Sequence, residues 1–314
     1  MSHLLSRFGA AAIVLVLLVA IPFVLTSNYH FRVVSLIYIF GLAAIGLNLV
    51  MGFAGQVSLG HAGFLGIGAY AVAILPGHFG IDSFAAIWIG ALISGLLAFV
   101  VGRPILNLKG YYLAVATLGF GFLIAQILSN EALWTGGPDG LNVPRLVVAG
   151  WRVRSAEAWY WISGGALVIG ILIAQNVVGS STGRALRAIH DSEVAAQVLG
   201  IDVSRQKLKV FVLSAVYASI AGSLLALSTG HVTPDSTAGF LRSIELVTMV
   251  VLGGLGSVLG SILGAAILIL LPQLLTVFHD YEHLMLGLMM MLAVILLPAG
   301  LVPTIGRKLK WKVS

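Results

Sequence analysis

Four side chains beside one glycine-rich stretch could handle a polar solute: Asn48, Gln56, Ser58 and His61. Two amides, a hydroxyl and an imidazole supply donors and acceptors without a permanent charge. They cluster around Gly52, in and just before the run GFAGQVSLGHAGFLGIGAY (Gly52 to Tyr70), whose glycines interrupt a long apolar pattern. A helix broken at such a place exposes amides and carbonyls that can hold the two ends of a zwitterion. Polar groups at membrane depth usually face a protein interior or a water-filled path. Buried structural hydrogen bonding accounts for the same residues equally well. Thr117 and Gln126 are polar groups in a later apolar run, although a threonine can also bond back to its own helix. Glu245 lies near one end of its run and reads either as interfacial or as path-facing. No catalytic set emerges, because the segment around Ser58 lacks a convincing base and acid nearby in sequence. His279, Glu282 and His283 do not make H-E-x-x-H, and no metal site is assigned to them.

A second candidate is the stretch Gly179 to Lys209, a long polar run well away from both ends. It encodes a short helix. Asp191 is expected as its N-cap and Gly200 as its left-handed ending, with apolar Ile201 following. Glu193 falls in the first turn, where the helix dipole favours a negative charge. Val194 and Val198 are four apart, as are Ala195 and Leu199, which gives the helix an apolar side. Such a helix facing water is suited to docking. A solvated loop between two spans is the plainer reading of the same residues.

These candidates sit in a chain whose main solvent is lipid. Of 314 residues, 59% are hydrophobic and only 9% charged, and the mean hydropathy is +1.07. Soluble domains carry about 25% charged residues. Apolar runs of bilayer-crossing length recur, and the alternation of a membrane barrel is absent, so the fold class is all-α polytopic. Cysteine is absent, which excludes disulfides and thiolate chemistry. No G-x-x-x-x-G-K-[ST] occurs, so ATP is not bound through a P-loop. The net charge of +6 has a topological explanation and does not point to nucleic acid.

The expected spans are 8–26, 33–51, one leading out of the glycine run and ending near Leu75, 85–101, 111–128, 161–178, 210–228, an interrupted region over 243–278, and 284–301. The first resembles a signal peptide but lacks a cleavage pattern and is read as retained. Pro76 to Asp82 is expected to be a turn. Residues 129–159 form a long polar connection rich in interfacial tryptophan, and 179–209 is the loop on the opposite side. Placing that loop and both termini in the cytoplasm puts 12 of the 17 Lys and Arg residues inside, as the positive-inside rule requires. Parity then makes the interrupted region two segments and the total ten. Gly256, Gly260 and Gly264 form a G-x-x-x-G-x-x-x-G face suited to close helix packing.

Five segments in order carry a family resemblance: GLNLVMGFAGQVSLGHAGFLGIGAY, LKGYYLAVATLGFG, TGGPDGL, GRALRAIHDSEVAAQVLGID and VVLGGLGSVLG. Together they resemble the permeases of bacterial branched-chain amino-acid ABC importers, specifically the M-type subunit of an H/M pair. The resemblance implies an ABC importer permease fold over 1–314 in the bacterial inner membrane. It also implies a homologous H-type permease, two ATP-binding subunits and a periplasmic solute-binding protein as partners. Gly183, Arg184, Arg187, Asp191, Glu193, Ala195, Ala196 and Gly200 would couple the chain to an ATPase. Thr135, Gly136, Gly137 and Asp139 would meet the binding protein. Asn48, Gln56, Ser58, His61, Thr117 and Glu245 would line the path. No cofactor is implied, and ATP hydrolysis would belong to the partner. Relatives that move urea, amides or aromatic acids leave the cargo open. An ion-coupled transporter and an intramembrane scaffold are the alternatives. The first needs titratable groups in the membrane, for which His61 and Glu245 are the candidates.

Overall fold

The computed structural model describes residues 2–24, 27–148 and 151–274, with isolated positions between 287 and 304. The expected last span lies largely outside them, and the His279–His283 turn and the basic tail lie outside altogether. The chain begins with α1 (Ser2–Val24) and α2 (Asn28–Asn48), which a π-helical turn (Leu49–Phe53) prolongs. After an irregular segment come α3 (His61–Phe79), α4 (Ser83–Ile105) and α5 (Tyr111–Asn130). Short elements follow: α6 (Ala132–Thr135), a 3-10 turn (Gly137–Asp139), β1 (Leu141–Asn142), β2 (Val147–Val148) and β3 (Trp151–Arg152). The remainder is α7 (Ala156–Gly179), α8 (Ser181–Asp191), α9 (Glu193–Val198), α10 (Val203–Thr229), β4 (His231–Val232), α11 (Pro234–Ala238), α12 (Phe240–Gly253) and α13 (Val258–Leu274). Seven helical stretches among the described residues are long and apolar enough to cross a bilayer, so the protein is all-α and multi-pass.

Helix starts follow side-chain chemistry. Asp82, Ser155 and Asp202 each accept a hydrogen bond from a first-turn amide of α4, α7 and α10. The expected Pro76–Asp82 turn is confined to its last three residues: α3 runs through that proline to Phe79 and ends on left-handed Gly80. Proline lacks an amide hydrogen, but a packed membrane helix tolerates that loss.

The bundle is organised around α2 and α10, which are mostly buried, whereas about a third of the apolar windows of α4, α5 and α7 is covered. Lipid tails are as apolar as leucine, so helices associate through close packing of small residues. A Cβ on Gly222 of α10 would lie 1.9 Å from the Leu65 carbonyl oxygen of α3, and one on Gly264 would lie 1.8 Å from that of Met249. The second contact folds α12 and α13 into a helical hairpin, so the interrupted region holds two helices over its described residues. Gly260 and Gly264 pack in it as expected, but Gly256 sits in the turn between the helices, at φ +74°.

Two faces result. α7 ends and α10 begins at α8 and α9. The other ends of α7 and α10 meet a strap made of the described residues 137–148 and 151–154, where β1 pairs antiparallel with β4 and β2 with β3. The strap gives the expected polar connection local order.

Candidate functional site

The break after α2 is held from outside. The Asn48 amide donates to the Ser261 hydroxyl at 2.7 Å and to the Ser257 carbonyl at 2.9 Å, while its oxygen accepts from the Gly256 amide at 2.9 Å. Asn48 therefore ties the break to the α12–α13 turn. Beyond Phe53 the chain passes through left-handed Gly55 (φ +66°), runs without regular structure, and restarts as α3 at His61. Gly60 cannot carry a side chain, because its Cβ would lie 2.0 Å from the Thr117 carbonyl oxygen of α5. Thr117 donates to its own helix at Ala114 and accepts from the Leu59 amide at 3.1 Å. The Ala62 amide in the first turn of α3 donates to the Ser243 hydroxyl of α12.

His61 is fully buried. The Ser214 hydroxyl of α10 donates to the Gly46 carbonyl at 2.5 Å, so its oxygen is left to accept from His61 Nε2–H at 2.6 Å. His61 Nδ1 then faces the Ser58 hydroxyl at 3.5 Å. This chain needs no charge on the imidazole. Gln56 differs from its neighbours. It is 2% exposed, and neither its amide nitrogen nor its amide oxygen has a hydrogen-bond partner among the described residues. Leaving such a group unpaired costs about 1–3 kcal/mol per atom. Glu245 stands apart from this group, partly exposed and paired with Arg242 at 2.5 Å.

The second centre is the α8–α9 body. The sequence reading missed α8, although Gly183, Leu186 and Ile189 recur every third residue and are the ones it buries. Gly183 lets α8 fold back on α7, since a Cβ there would lie 2.1 Å from the Val178 carbonyl oxygen. Arg184 and Arg187 line a cavity of about 680 Å³ with Phe53, Gln175 and Gly256, and Arg187 Nη1–H donates to the Val178 carbonyl at 3.4 Å. Asp191 is not the N-cap of α9. Because α8 continues through Asp191, extended Ser192 takes that position and accepts from the Ala195 amide. The ending is as expected: Gly200 is left-handed, and the Ile201 and Gly200 amides donate to the Ala196 and Gln197 carbonyls. Ala196 is buried with Ile189 and Val203, a small core joining α8, α9 and the start of α10. Glu193 pairs with Lys207, whose side chain is only 4% exposed. Val194, Ala195, Val198 and Leu199 are exposed, forming an apolar patch on a polar face.

On the opposite face Thr135 is buried, donates to the Leu128 and Glu131 carbonyls, and accepts from the Gly137 amide. Gly136 and Gly137 both have positive φ. The Asp139 side chain is exposed, and its carbonyl accepts from His231. Ser214, Ser243, Ser261 and Lys207 were not singled out as site residues in the sequence. Serines in apolar runs and a lysine inside a helix gave the only signal.

A multi-pass helical bundle with a break after α2 and an exposed apolar patch on α9 is compatible with a membrane permease. The sequence model of the family described as the permease component of branched-chain amino acid transport systems matches residues 29–294, and the chain belongs to that family. It is 33% identical to the high-affinity branched-chain amino acid transport system permease protein LivM of Salmonella typhimurium, over 95% of this chain and 75% of that protein. Identity to LivM of Escherichia coli is 34% over the same shares. The LivH permease of Salmonella typhimurium is 28% identical over 86% of this chain and 93% of its own. No solved structure matches.

Proposed function

We propose that the chain is the M-type permease half of an ATP-driven importer for branched-chain amino acids. It pairs with an H-type permease, two ATP-binding subunits and a periplasmic binding protein in the bacterial inner membrane. The observation that carries this reading is the exposed Val194–Val198–Leu199 patch on a helix locked to the bundle by its own small core. An apolar patch on a polar face marks a protein contact. The α8–α9 face is cytoplasmic in this reading, and ten segments leave both termini there. ATP binding moves α9, and the break around Gln56, Ser58 and His61 changes the side to which it opens. Among the proposed path residues, which also include Asn48, Thr117 and Glu245, Gln56 has the amide free to meet a solute. Asp139 and the turn from Thr135 to Gly137 receive the binding protein on the far face.

The test is affinity purification of the tagged chain from its native membrane. The expected result is recovery of a homologous permease and two ATP-binding subunits, lost on Val198→Asp. Recovery without any ATP-binding subunit would refute the reading.

A further inference from the structure

We infer that α10 is the transmission element between the docking face and the break, with Lys207 and Ser214 as its positioning residues. The inference rests on the proposed importer function and adds how motion crosses the chain. At its lower end α10 is fastened to α9 twice. Val203 shares the small core with Ala196 and Ile189, and buried Lys207 pairs with Glu193. Two turns further along, about 10 Å at an ordinary helical rise, Ser214 holds both flanks of the break with one hydroxyl. It donates to the Gly46 carbonyl of α2, before the break, and accepts from His61 of α3, after it.

A displacement of α9 therefore reaches both flanks through one rigid helix, and no flexible loop intervenes. Beyond Ser214, at Ser219 and Gly222, α10 packs closely along α3. The Gly68 and Gly222 contacts bring backbone against backbone, at 1.9 Å from a hypothetical Cβ to the facing carbonyl oxygen in each case. A close-packed interface of this kind responds by switching arrangement rather than by gradual deformation. A second contact, His190 of α8 against Gly55, touches the break from below. It is a side chain resting on a glycine, and it has no grip on α3.

The chain has no cysteine, so a single introduced thiol reports on the break alone. Val57, 43% exposed within the irregular segment between Phe53 and His61, is the reporter position. The V57C protein is assembled with its ATP-binding subunits in liposomes, and modification by a charged thiol reagent is timed with and without ATP and vanadate. The expected change on nucleotide trapping is about fivefold or more, the lower range of ordinary allosteric coupling. The paired change Glu193→Gln with Lys207→Met removes both charges together, so no buried charge is stranded. It is expected to lose the nucleotide-dependent change, with assembly and ATP hydrolysis measured on the same preparation. The charge swap Glu193→Lys with Lys207→Glu is expected to restore it.

A full nucleotide response in the neutralised pair overturns the relay. If that pair does not assemble, the swap decides: an assembled swap that responds supports the relay, and one that does not respond overturns it. Absence of any nucleotide response in the unmodified V57C background refutes the importer reading instead, which keeps the two failures distinct. Coupling evidence of this kind is what a transmission path requires.

Discussion

Truncating Val198 to alanine should separate docking from folding. Val198 is 83% exposed on α9 and supports nothing inside the bundle. Exposed substitutions of this kind shift stability by about 0.5 kcal/mol or less. If α9 inserts into a groove of an ATP-binding subunit, the truncation removes two buried methyl groups from that contact. At about 0.8 kcal/mol each, the loss is about 1.6 kcal/mol, or roughly tenfold in affinity. Val198→Asp should lose more, because it also brings an unpaired carboxylate into an apolar groove. The assay is equilibrium binding of purified ATP-binding subunits to the permease in detergent, with thermal unfolding of the permease as control. Unchanged affinity in both variants, with unchanged unfolding, would refute the assignment of this patch as the docking surface.

Other substitutions test the remaining structure. Glu193→Arg would set a like charge against buried Lys207, where breaking such a pair costs about 3–5 kcal/mol. Because Glu193 is itself partly exposed, the low end is expected. Uptake and thermal stability should then fall together, so this variant does not isolate coupling as Val198→Ala does. Gln56→Leu removes two unpaired buried polar atoms, so its unfolding temperature should hold or rise, while solute uptake falls. Asn48→Ala strands the Gly256 amide and frees the α12–α13 turn. It should lower stability by about 1–3 kcal/mol, read by thermal unfolding in detergent.

The sequence carried the fold class because apolar length is a strong signal in a lipid solvent. It also carried the Gly200 ending, since a left-handed residue at a helix end is written as glycine and fixes its neighbours' hydrogen bonds. α8 was less legible, because charged residues on its exposed face disguised Gly183, Leu186 and Ile189 as part of a polar loop. The role of Asn48 was invisible locally, since its partners lie more than 200 residues away at Gly256, Ser257 and Ser261. For the same reason Lys207 registered only as one more positive charge. Its burial and its pairing with Glu193 depend on how α9 folds back onto α10. Polar residue type thus marked the neighbourhood of the break, and tertiary packing divided its members into clamp, relay and unpaired amide.

The most direct test of ATP-driven import is uptake of labelled leucine, isoleucine, valine and urea by cells with and without this gene, with ATP and the proton gradient set independently. The account predicts that branched-chain amino-acid uptake is lost with the gene and follows ATP when the proton gradient is collapsed. Uptake that follows the proton gradient at constant ATP would contradict it.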